Sequence, residues 1–349
     1  MKANFFQYIL NFKRPGGTSR GVLHHKETWF LIIRDGERFG IGECGLFRGL
    51  SPDDREDYPK QLAETCKRIE QGLEPLMEFN KEFPSIRIGL ETAFLSLEHK
   101  DPFQIFPSDF STNGSPIDIN GLIWMGDPDF MRQQIRAKID DGFSCIKLKI
   151  GALDFDTEID ILSEIRQEFS SDQIVLRVDA NGALTPEEAL GKLERLAKLD
   201  LHSIEQPIMA GQWAAMAELC RQSPLPIALD EELIGMQPQE EGRKMMDIIR
   251  PDFLILKPSL IGGFASSDHW IELAGEYGAD WWVTSALESN VGLNAIAQYT
   301  YLKSSKLPQG LGTGGLYYNN VPSPLRAGGG VLRWDPQQRW DLTAILPPE

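Results

Sequence analysis

The apolar and polar positions of this chain form two successive patterns, and the change between them falls near residue 116. Before that point, the β-rich runs 28–34 and 38–44 flank the turn Asp35-Gly36-Glu37, and two helical patterns follow, at about 52–72 and from Pro84 onward. Strands followed by helices are typical of an α+β domain. We therefore predict an α+β domain over residues 1–115.

After residue 116, short apolar runs alternate regularly with helical patterns. Two helices have clear start signals, Asp127-Pro128 and Thr185-Pro186-Glu187-Glu188, in which a capping residue precedes a proline. The predicted strands are seven: 117–123, 144–149, 174–179, 203–206, 226–230, 252–257 and 281–285. This succession of βα units predicts an α/β barrel of the TIM type over 116–324, closed by a strand near Leu311. We expect the tail 325–349 to return to the first domain.

Composition and charge exclude several classes of protein. The chain is 42% hydrophobic and 25% charged, and no apolar run approaches the length of about 20 residues that spans a bilayer. Its net charge of −16 opposes binding to nucleic acid or to anionic lipid. The four cysteines form no Cys-x-x-Cys pair, and polar residues interrupt the first apolar run, which argues against a signal peptide. We expect a cytoplasmic protein with reduced thiols and no membrane or nucleic-acid partner.

Ionisable residues recur where the predicted barrel strands end, at intervals of 25–30 residues, which is one βα unit. They are Lys147 and Lys149, Asp179, Glu205, Asp230 and Lys257. The carboxyl ends of barrel strands converge on one mouth, where barrel enzymes place their active sites. We therefore expect all six side chains to share one pocket.

Three carboxylates on adjacent strands suit a hard divalent cation, because Mg²⁺ prefers oxygen ligands. Asp179, Glu205 and Asp230 are the candidate ligands of one Mg²⁺, with Mn²⁺ as a substitute, and the lack of an accompanying His or Cys disfavours zinc. The alternative is that each carboxylate only caps the helix after its strand.

The strand-end lysines are candidate acid–base groups. Lys147 and Lys149, two residues apart, share a strand face, and a second ammonium nearby lowers the pKa of a lysine. The alternative is an exposed pair on an edge strand. Lys257 belongs to the sixth strand, opposite the second across an eight-stranded barrel, although a single lysine there could also extend to solvent. Two lysines flanking a metal-bound substrate would suit proton abstraction next to a carboxylate.

The strand-end motifs resemble the enolase superfamily, in the branch that contains muconate-lactonising enzymes. They are Lys147-Leu148-Lys149, Val178-Asp179-Ala180-Asn181-Gly182, Ile204-Glu205-Gln206-Pro207, Leu229-Asp230-Glu231 and Leu256-Lys257-Pro258. The resemblance extends from Asp118 to Gly315, and Gly40-Ile41-Gly42-Glu43-Cys44 resembles the motif of the family's capping domain. It implies a modified (β/α)7β barrel with an N-terminal α+β capping domain.

Within the superfamily, the segments 285–293 and 310–314 resemble the o-succinylbenzoate synthase family, a group of dehydratases in menaquinone biosynthesis. The resemblance implies that Asp179, Glu205 and Asp230 bind Mg²⁺ and that Lys149 removes the α-proton and then protonates the departing hydroxyl. It also implies that Lys147 assists and that Lys257 stabilises the intermediate electrostatically. The expected substrate is a small carboxylate, and Ser285 is a candidate contact to it.

Other functions stay open at this point. An epimerase or racemase of dipeptides or N-acylamino acids would use Lys149 and Lys257 on opposite faces, although the Asp-x-Asp motif usual in dipeptide epimerases does not occur between Ser285 and Gly315. A Schiff-base lyase would use one lysine without a metal. A non-catalytic binding barrel is the remaining alternative. Arg20, in the loop 15–21, either contacts a substrate carboxylate or belongs to an ordinary hairpin. The oligomeric state is not predicted.

Overall fold

The N-terminal region consists of an antiparallel sheet followed by helices. A computed structural model describes residues 1–18 and 21–346, so Arg20 lies outside the described residues. The elements of this region are β1 (Lys2–Thr18), β2 (Gly21–Asp35), β3 (Arg38–Cys44), α1 (Tyr58–Lys67), the 3₁₀ turn Ile69–Gln71, α2 (Leu73–Phe79), α3 (Pro84–Glu98), α4 (Asp109–Asn113) and β4 (Ile117–Asp118). The first sheet has the order β1-β2-β3. The α+β pattern is as predicted, but β1 was not predicted.

The strand β1 pairs with β2 over most of its length, from Lys2 opposite Arg34 to Thr18 opposite Gly21. It lies at the edge of its sheet, where one side of the backbone needs no strand partner. Edge strands tolerate prolines and polar residues, and β1 contains both, so its sequence lacks a clear alternation. That pattern explains why sequence analysis missed it.

The helix α3 packs directly on β3 because two glycines of that strand leave room for its backbone. A Cβ atom on Gly42 would lie 1.9 Å from the carbonyl oxygen of Gly89, and one on Gly40 would lie 2.1 Å from that of Ala93. Any side chain at these positions would push the helix away. Between this sheet and α1–α3 lies a separate hydrophobic core.

The second region is a parallel sheet of seven strands in the order β11-β10-β9-β8-β7-β6-β5, with helices between the strands. Its elements are β5 (Gly121–Ile123), α5 (Pro128–Asp140), β6 (Cys145–Lys149), α6 (Phe155–Glu168), β7 (Val175–Asp179), α7 (Pro186–Ala197), β8 (Ser203–Glu205), α8 (Trp213–Gln222), β9 (Ile227–Leu229), the 3₁₀ turn Glu231–Leu233, the π-helical turn Pro238–Gly242, α9 (Arg243–Ile249), β10 (Phe253–Leu256), α10 (Pro258–Ile261), α11 (Phe264–Tyr277), β11 (Asp280–Val283) and α12 (Asn290–Lys303). The largest hydrophobic core lies between these strands and helices.

Two details of the predicted strands differ from the structure. The predicted strand 117–123 is two strands, because β4 pairs with the C-terminal hairpin while β5 pairs with β6. The predicted last strand near Leu311 is reduced to single bridges, Gln309 to Ile119 and Gly310 to Thr284. These two bridges link the edges of the seven-stranded sheet, so the barrel closes without a regular eighth strand.

The C-terminal segment forms the hairpin β12 (Leu325–Gly328) and β13 (Val331–Trp334), and β13 pairs with β4. Farther on, the Trp340 ring stacks on Phe103 with 3.9 Å between centroids. The tail thus contacts the segment that follows α3. The domain boundaries at 115 and 324 remain a prediction. Within residues 1–18 and 21–346, no helix combines the length and the apolar character needed to cross a bilayer.

Candidate active site

The strand ends of the barrel bring the predicted ionisable residues together. Lys149 lies opposite Asp179 in the register of β6 and β7, and Asp179 lies opposite Glu205 in that of β7 and β8. Asp230 follows β9 directly and Lys257 follows β10. All six residues, Lys147 included, are buried, and none has more than 9% of its total surface exposed.

Lysines and carboxylates alternate at this mouth in a connected hydrogen-bond network. Lys147 Nζ lies 2.9 Å from Asp179 Oδ2 and donates to Glu205 Oε2 at 2.6 Å. Lys149 Nζ donates to Asp179 Oδ2 at 2.6 Å and to Asn181 Oδ1 at 2.7 Å. Asp179 Oδ2 is therefore shared by two ammonium groups.

Lys257, directly after β10, forms an ion pair with Asp230 on the other side of the mouth. Three strands, β7 to β9, separate β6 from β10 in the sheet. Lys149 and Lys257 therefore flank the three carboxylates from opposite sides, as the strand count predicts.

The simpler alternatives for these residues do not match the structure. The helices α7 and α8 begin at the caps Thr185 and Gln212, so Asp179 and Glu205 do not cap them. Asp230 stands at the N-cap position of the 3₁₀ turn Glu231–Leu233, but its side chain makes no capping hydrogen bond there. The strand β6 lies between β5 and β7, and its lysines are therefore not on an edge. Lys257 pairs with a buried carboxylate instead of extending to solvent.

The charges of the network shift the pKa values of its members. Burial opposes the charged form of Lys147, but the charges of Asp179 and Glu205 outweigh it and raise its pKa. Burial would also raise the pKa of Asp179, yet Lys147 and Lys149 hold it well below its usual range. Of the two lysines, one of which was expected to have a lowered pKa, Lys147 shows the opposite shift, because its contacts are carboxylates. Burial is likewise outweighed by Asp230 at Lys257, whose pKa is raised.

Among the three strand-end carboxylates, Glu205 is the one whose negative charge the lysines compensate least. Burial and the charges of Asp179 and Asp230 raise its pKa, although Lys147 and Lys257 act in the opposite direction. Its Oε1 is buried without a hydrogen-bond partner in the described part of the chain. A carboxylate oxygen left over among three crowded carboxylates suits a hard cation.

The donor set therefore fits Mg²⁺ chemically, although a lysine contacts one oxygen of each of the three carboxylates. Among residues 1–18 and 21–346, no group of three or more His, Cys, Asp or Glu side chains is arranged to hold a metal ion. Asp179 and Asp230 would have to exchange ammonium contacts for metal contacts. Lysine side chains are long and rotate readily, so this exchange needs no change in the strands.

A cavity of about 230 Å³ opens on this network. Its polar lining includes Lys147, Lys149 and Lys257 together with Ser285, whose Oγ lies 2.7 Å from Thr313 Oγ1. The apolar lining comes from both regions of the chain: Leu23, Phe47, Leu50, Leu122, Trp124, Leu287 and Leu316. An apolar cavity with a few convergent charged groups is typical of a small-molecule site.

Sequence analysis missed several residues of this site. Asn181 contacts Lys149 directly and has φ 45°, and its Nδ2 donates to Glu231 Oε1 at 3.0 Å. Its position two residues after a predicted ligand, within a quoted motif, was the available signal. Leu23 and Phe47 precede the barrel in the sequence, and no spacing rule connects them to it.

Known proteins resemble this chain over most of its length. The family described as "Enolase C-terminal domain-like" matches residues 130–343. A curated o-succinylbenzoate synthase from Desulfotalea psychrophila is 47% identical, and the match covers 95% of this chain and 98% of that protein. The chain belongs to the enolase superfamily.

Solved structures confirm the predicted fold of this superfamily. The crystal structure of MenC from Desulfotalea psychrophila LSv54 has a TM-score of 0.85 and 43% identity, covering 95% of this chain and 99% of that one. A dipeptide epimerase from Cytophaga hutchinsonii, complexed with Mg and dipeptide D-Ala-L-Val, has a TM-score of 0.82 but only 18% identity, covering 95% and 92%. The second likeness is one of fold alone. The barrel with an N-terminal capping region is confirmed, and we call residues before the barrel the capping region below.

Proposed function

We propose that this chain is an o-succinylbenzoate synthase, a hydro-lyase that converts 2-succinyl-6-hydroxy-2,4-cyclohexadiene-1-carboxylate to o-succinylbenzoate in menaquinone biosynthesis. The observation that carries the proposal is the 47% identity to a curated o-succinylbenzoate synthase over nearly the whole of both chains. This identity favours the predicted dehydratase over an epimerase or racemase, because the relatives with those activities are far more distant in sequence.

Lys149 is the proposed acid–base residue. Its Nζ lies at the cavity, and Asp179 and Asn181 hold it by hydrogen bonds of 2.6 and 2.7 Å. As a neutral amine it takes the proton next to the substrate carboxylate, and as an ammonium it returns that proton to the departing hydroxyl. One C–H and one C–O bond break, a ring double bond forms, water leaves, and Lys149 ends in its starting state.

The other charged residues stabilise negative charge on the substrate. Lys257 faces the reacting centre from the side opposite Lys149. Lys147, on the same strand as Lys149, adds a second fixed cation. Asp179, Glu205 and Asp230 would hold the Mg²⁺. When bound, that ion supplies positive charge next to the substrate carboxylate, where electron density accumulates as the proton leaves. Ser285 is the proposed polar contact of the cavity wall.

The decisive experiment follows the ultraviolet absorbance of o-succinylbenzoate with Mg²⁺ and after chelation. We expect product only with the metal. Product that forms in chelator, together with covalent trapping of substrate by borohydride, would indicate a Schiff-base lyase. Failure to form product with or without metal, despite Mg²⁺ binding, would indicate a binding protein.

The metal site has a test that does not depend on turnover. Calorimetric titration with Mg²⁺ should show one site in the wild type and none in Glu205→Gln, because the variant lacks the least satisfied carboxylate. Glu91→Gln changes another buried glutamate, outside the strand-end carboxylates, and should bind Mg²⁺ like the wild type. Equal binding by all three proteins would place the metal elsewhere.

A further inference from the structure

The capping-region motif Gly40–Cys44 contains one charged side chain, Glu43, whose hydrogen bonds cross to the barrel. Ser289 N–H donates to its Oε1 at 2.8 Å and Gly292 N–H to its Oε2 at 2.8 Å. The Ser289 hydroxyl also donates to Oε2, and Thr28 Oγ1 donates to Oε1 at 2.7 Å. Each carboxylate oxygen therefore accepts two hydrogen bonds, and the side chain is only 2% exposed.

These bonds fix the beginning of α12, which directly follows a wall of the cavity. Ser285, Ala286 and Leu287 line that wall, and Ser289 is the N-cap of the helix. A negative charge is stabilised at a helix N-terminus by the free N–H groups and the helix dipole. Glu43 therefore binds the chain strongly at Ser289, two residues after the end of the wall.

The wall itself has a strained conformation that needs such an attachment. Leu287 has φ 63°, in the left-handed region that is costly for a leucine. Its N–H donates to Ser285 Oγ at 3.1 Å, and its carbonyl oxygen accepts a hydrogen bond from the Tyr317 hydroxyl at 2.7 Å. Strained residues persist only where their surroundings hold them from several sides. On the side of Leu287 that leads to α12, the segment bound by Glu43 restrains it.

We propose that Glu43 is a positioning residue that sets the cavity wall Ser285–Leu287 and thereby the fit of the substrate. The proposal rests on the proposed function for the identity of the ligand. It assigns to the capping region a role in substrate fit through the backbone of the barrel, besides the side chains that the region places in the cavity.

The chain offers a matched control at the preceding barrel helix, α11. Glu91 of α3 is also a buried capping-region carboxylate, and it accepts hydrogen bonds from the N–H groups of Phe264 at 2.5 Å and Ala265 at 3.1 Å, at the start of α11. Phe264 and Ala265 do not belong to the cavity lining described above. Glu91→Gln therefore weakens a carboxylate contact from the capping region to the start of a barrel helix, as Glu43→Gln does, without touching the wall.

The test compares Glu43→Gln, Glu43→Asp and Glu91→Gln by steady-state kinetics and by calorimetric binding of o-succinylbenzoate. We expect Glu43→Gln to raise KM and the product Kd on the order of tenfold, with kcat changed less than about threefold, because a displaced wall weakens ground and transition states alike. Glu43→Asp keeps the charge and should recover part of the loss. Glu91→Gln should leave KM and Kd unchanged. An equal change in KM for Glu43→Gln and Glu91→Gln, or none for either, would overturn the proposal.

A second measurement separates this proposal from the proposed function. Amide hydrogen exchange of 285–292 should be faster in Glu43→Gln than in Glu91→Gln, whether or not the wild type forms o-succinylbenzoate. Should Glu43→Gln fail to fold, Thr28→Val removes one donor to Glu43 without changing the cap of α12, and it should give the same exchange and Kd changes in smaller measure. Unchanged exchange over 285–292 in every foldable variant would show that Glu43 does not hold the wall.

Discussion

Buried charges have different partners at the two ends of the barrel interior, and the strand β7 carries one charged residue at each end. Asp179 and Arg177 are two residues apart and so point to the same face of the strand, one at the mouth and one at the floor. Asp179 has two ammonium partners. Arg177 has its guanidinium carbon 3.9 Å from the ring centroid of Trp282 and donates one hydrogen bond, to the Pro308 carbonyl at 2.8 Å. Its Nε and Nη2 are buried without a partner in the described residues.

This difference separates a reactive network from a structural one. At the mouth, Asp179 has two ammonium partners, so one lysine still compensates its charge when the other gives up a proton. At the floor, an aromatic ring and one carbonyl hold a single cation, and two of its nitrogens have no hydrogen-bond partner among the described residues. Pro308 precedes the bridges that close the barrel, so Arg177 serves closure. Variants on the two sides of this division should therefore differ in whether they lose activity or stability.

Lys149→Ala should have the largest effect on activity. Both proton transfers use this residue, so the rate should fall by a factor of about 10⁴ or more, on the scale of general acid–base losses. Formation of o-succinylbenzoate measures the rate, and circular dichroism shows whether the variant is folded. A folded variant that retains a near wild-type rate would remove Lys149 from the mechanism.

Lys257 should matter through its charge. Lys257→Ala should lower kcat by about 10²-fold to 10³-fold, whereas Lys257→Arg should lose less, because arginine keeps the charge but cannot act as a base. Because the larger head also alters packing, kinetics should be paired with exchange of the α-proton in deuterated water on an analogue that cannot eliminate. Exchange should persist in Lys257→Ala and disappear in Lys149→Ala. Racemisation that requires both lysines would contradict a one-face dehydration.

Arg177→Met should affect stability more than activity. The variant loses the hydrogen bond to Pro308 and the contact with Trp282, and its free energy of unfolding should fall by about 2 kcal/mol. The values of kcat and KM should change less than about threefold, because Arg177 does not line the cavity. Denaturant unfolding and steady-state kinetics measure the two effects. A large loss of kcat with unchanged stability would break the division between mouth and floor.

His202 should give the smallest effect, visible only in acid. Burial and the charge of Arg177 lower its pKa to about 4, against 6.5 for an ordinary histidine. Between these values the unfolded chain binds more protons, so His202 destabilises the fold as pH falls from 6.5 toward 4. His202→Phe keeps the ring contact with Phe253 and should remove up to about 2 kcal/mol of that loss, after allowance for the partial exposure of the ring. Unfolding measured at pH 7.5 and 4.5 tests this, and equal pH dependence in both proteins would contradict it.

The sequence by itself determined which residues meet at the mouth. One βα unit separates Asp179 from Glu205 and Glu205 from Asp230, and parallel strands wound in order necessarily place their carboxyl ends on one edge. The same rule predicted that Lys257 faces Lys149. Two features were not predictable: the reduction of the last strand near Leu311 to single bridges, and the division of 117–123 into two strands. Backbone pairing with distant strands decided both.

Only the tertiary structure decided how these residues are paired and what surrounds them. Lys147 contacts the carboxylates of Asp179 and Glu205, and the direction of its pKa shift follows from these contacts. Glu43 meets Ser289 across 246 residues of chain. A local spacing rule works within one repeating sheet, where each strand fixes the next. It fails between two separately wound regions, because their contacts depend on the shape of both surfaces.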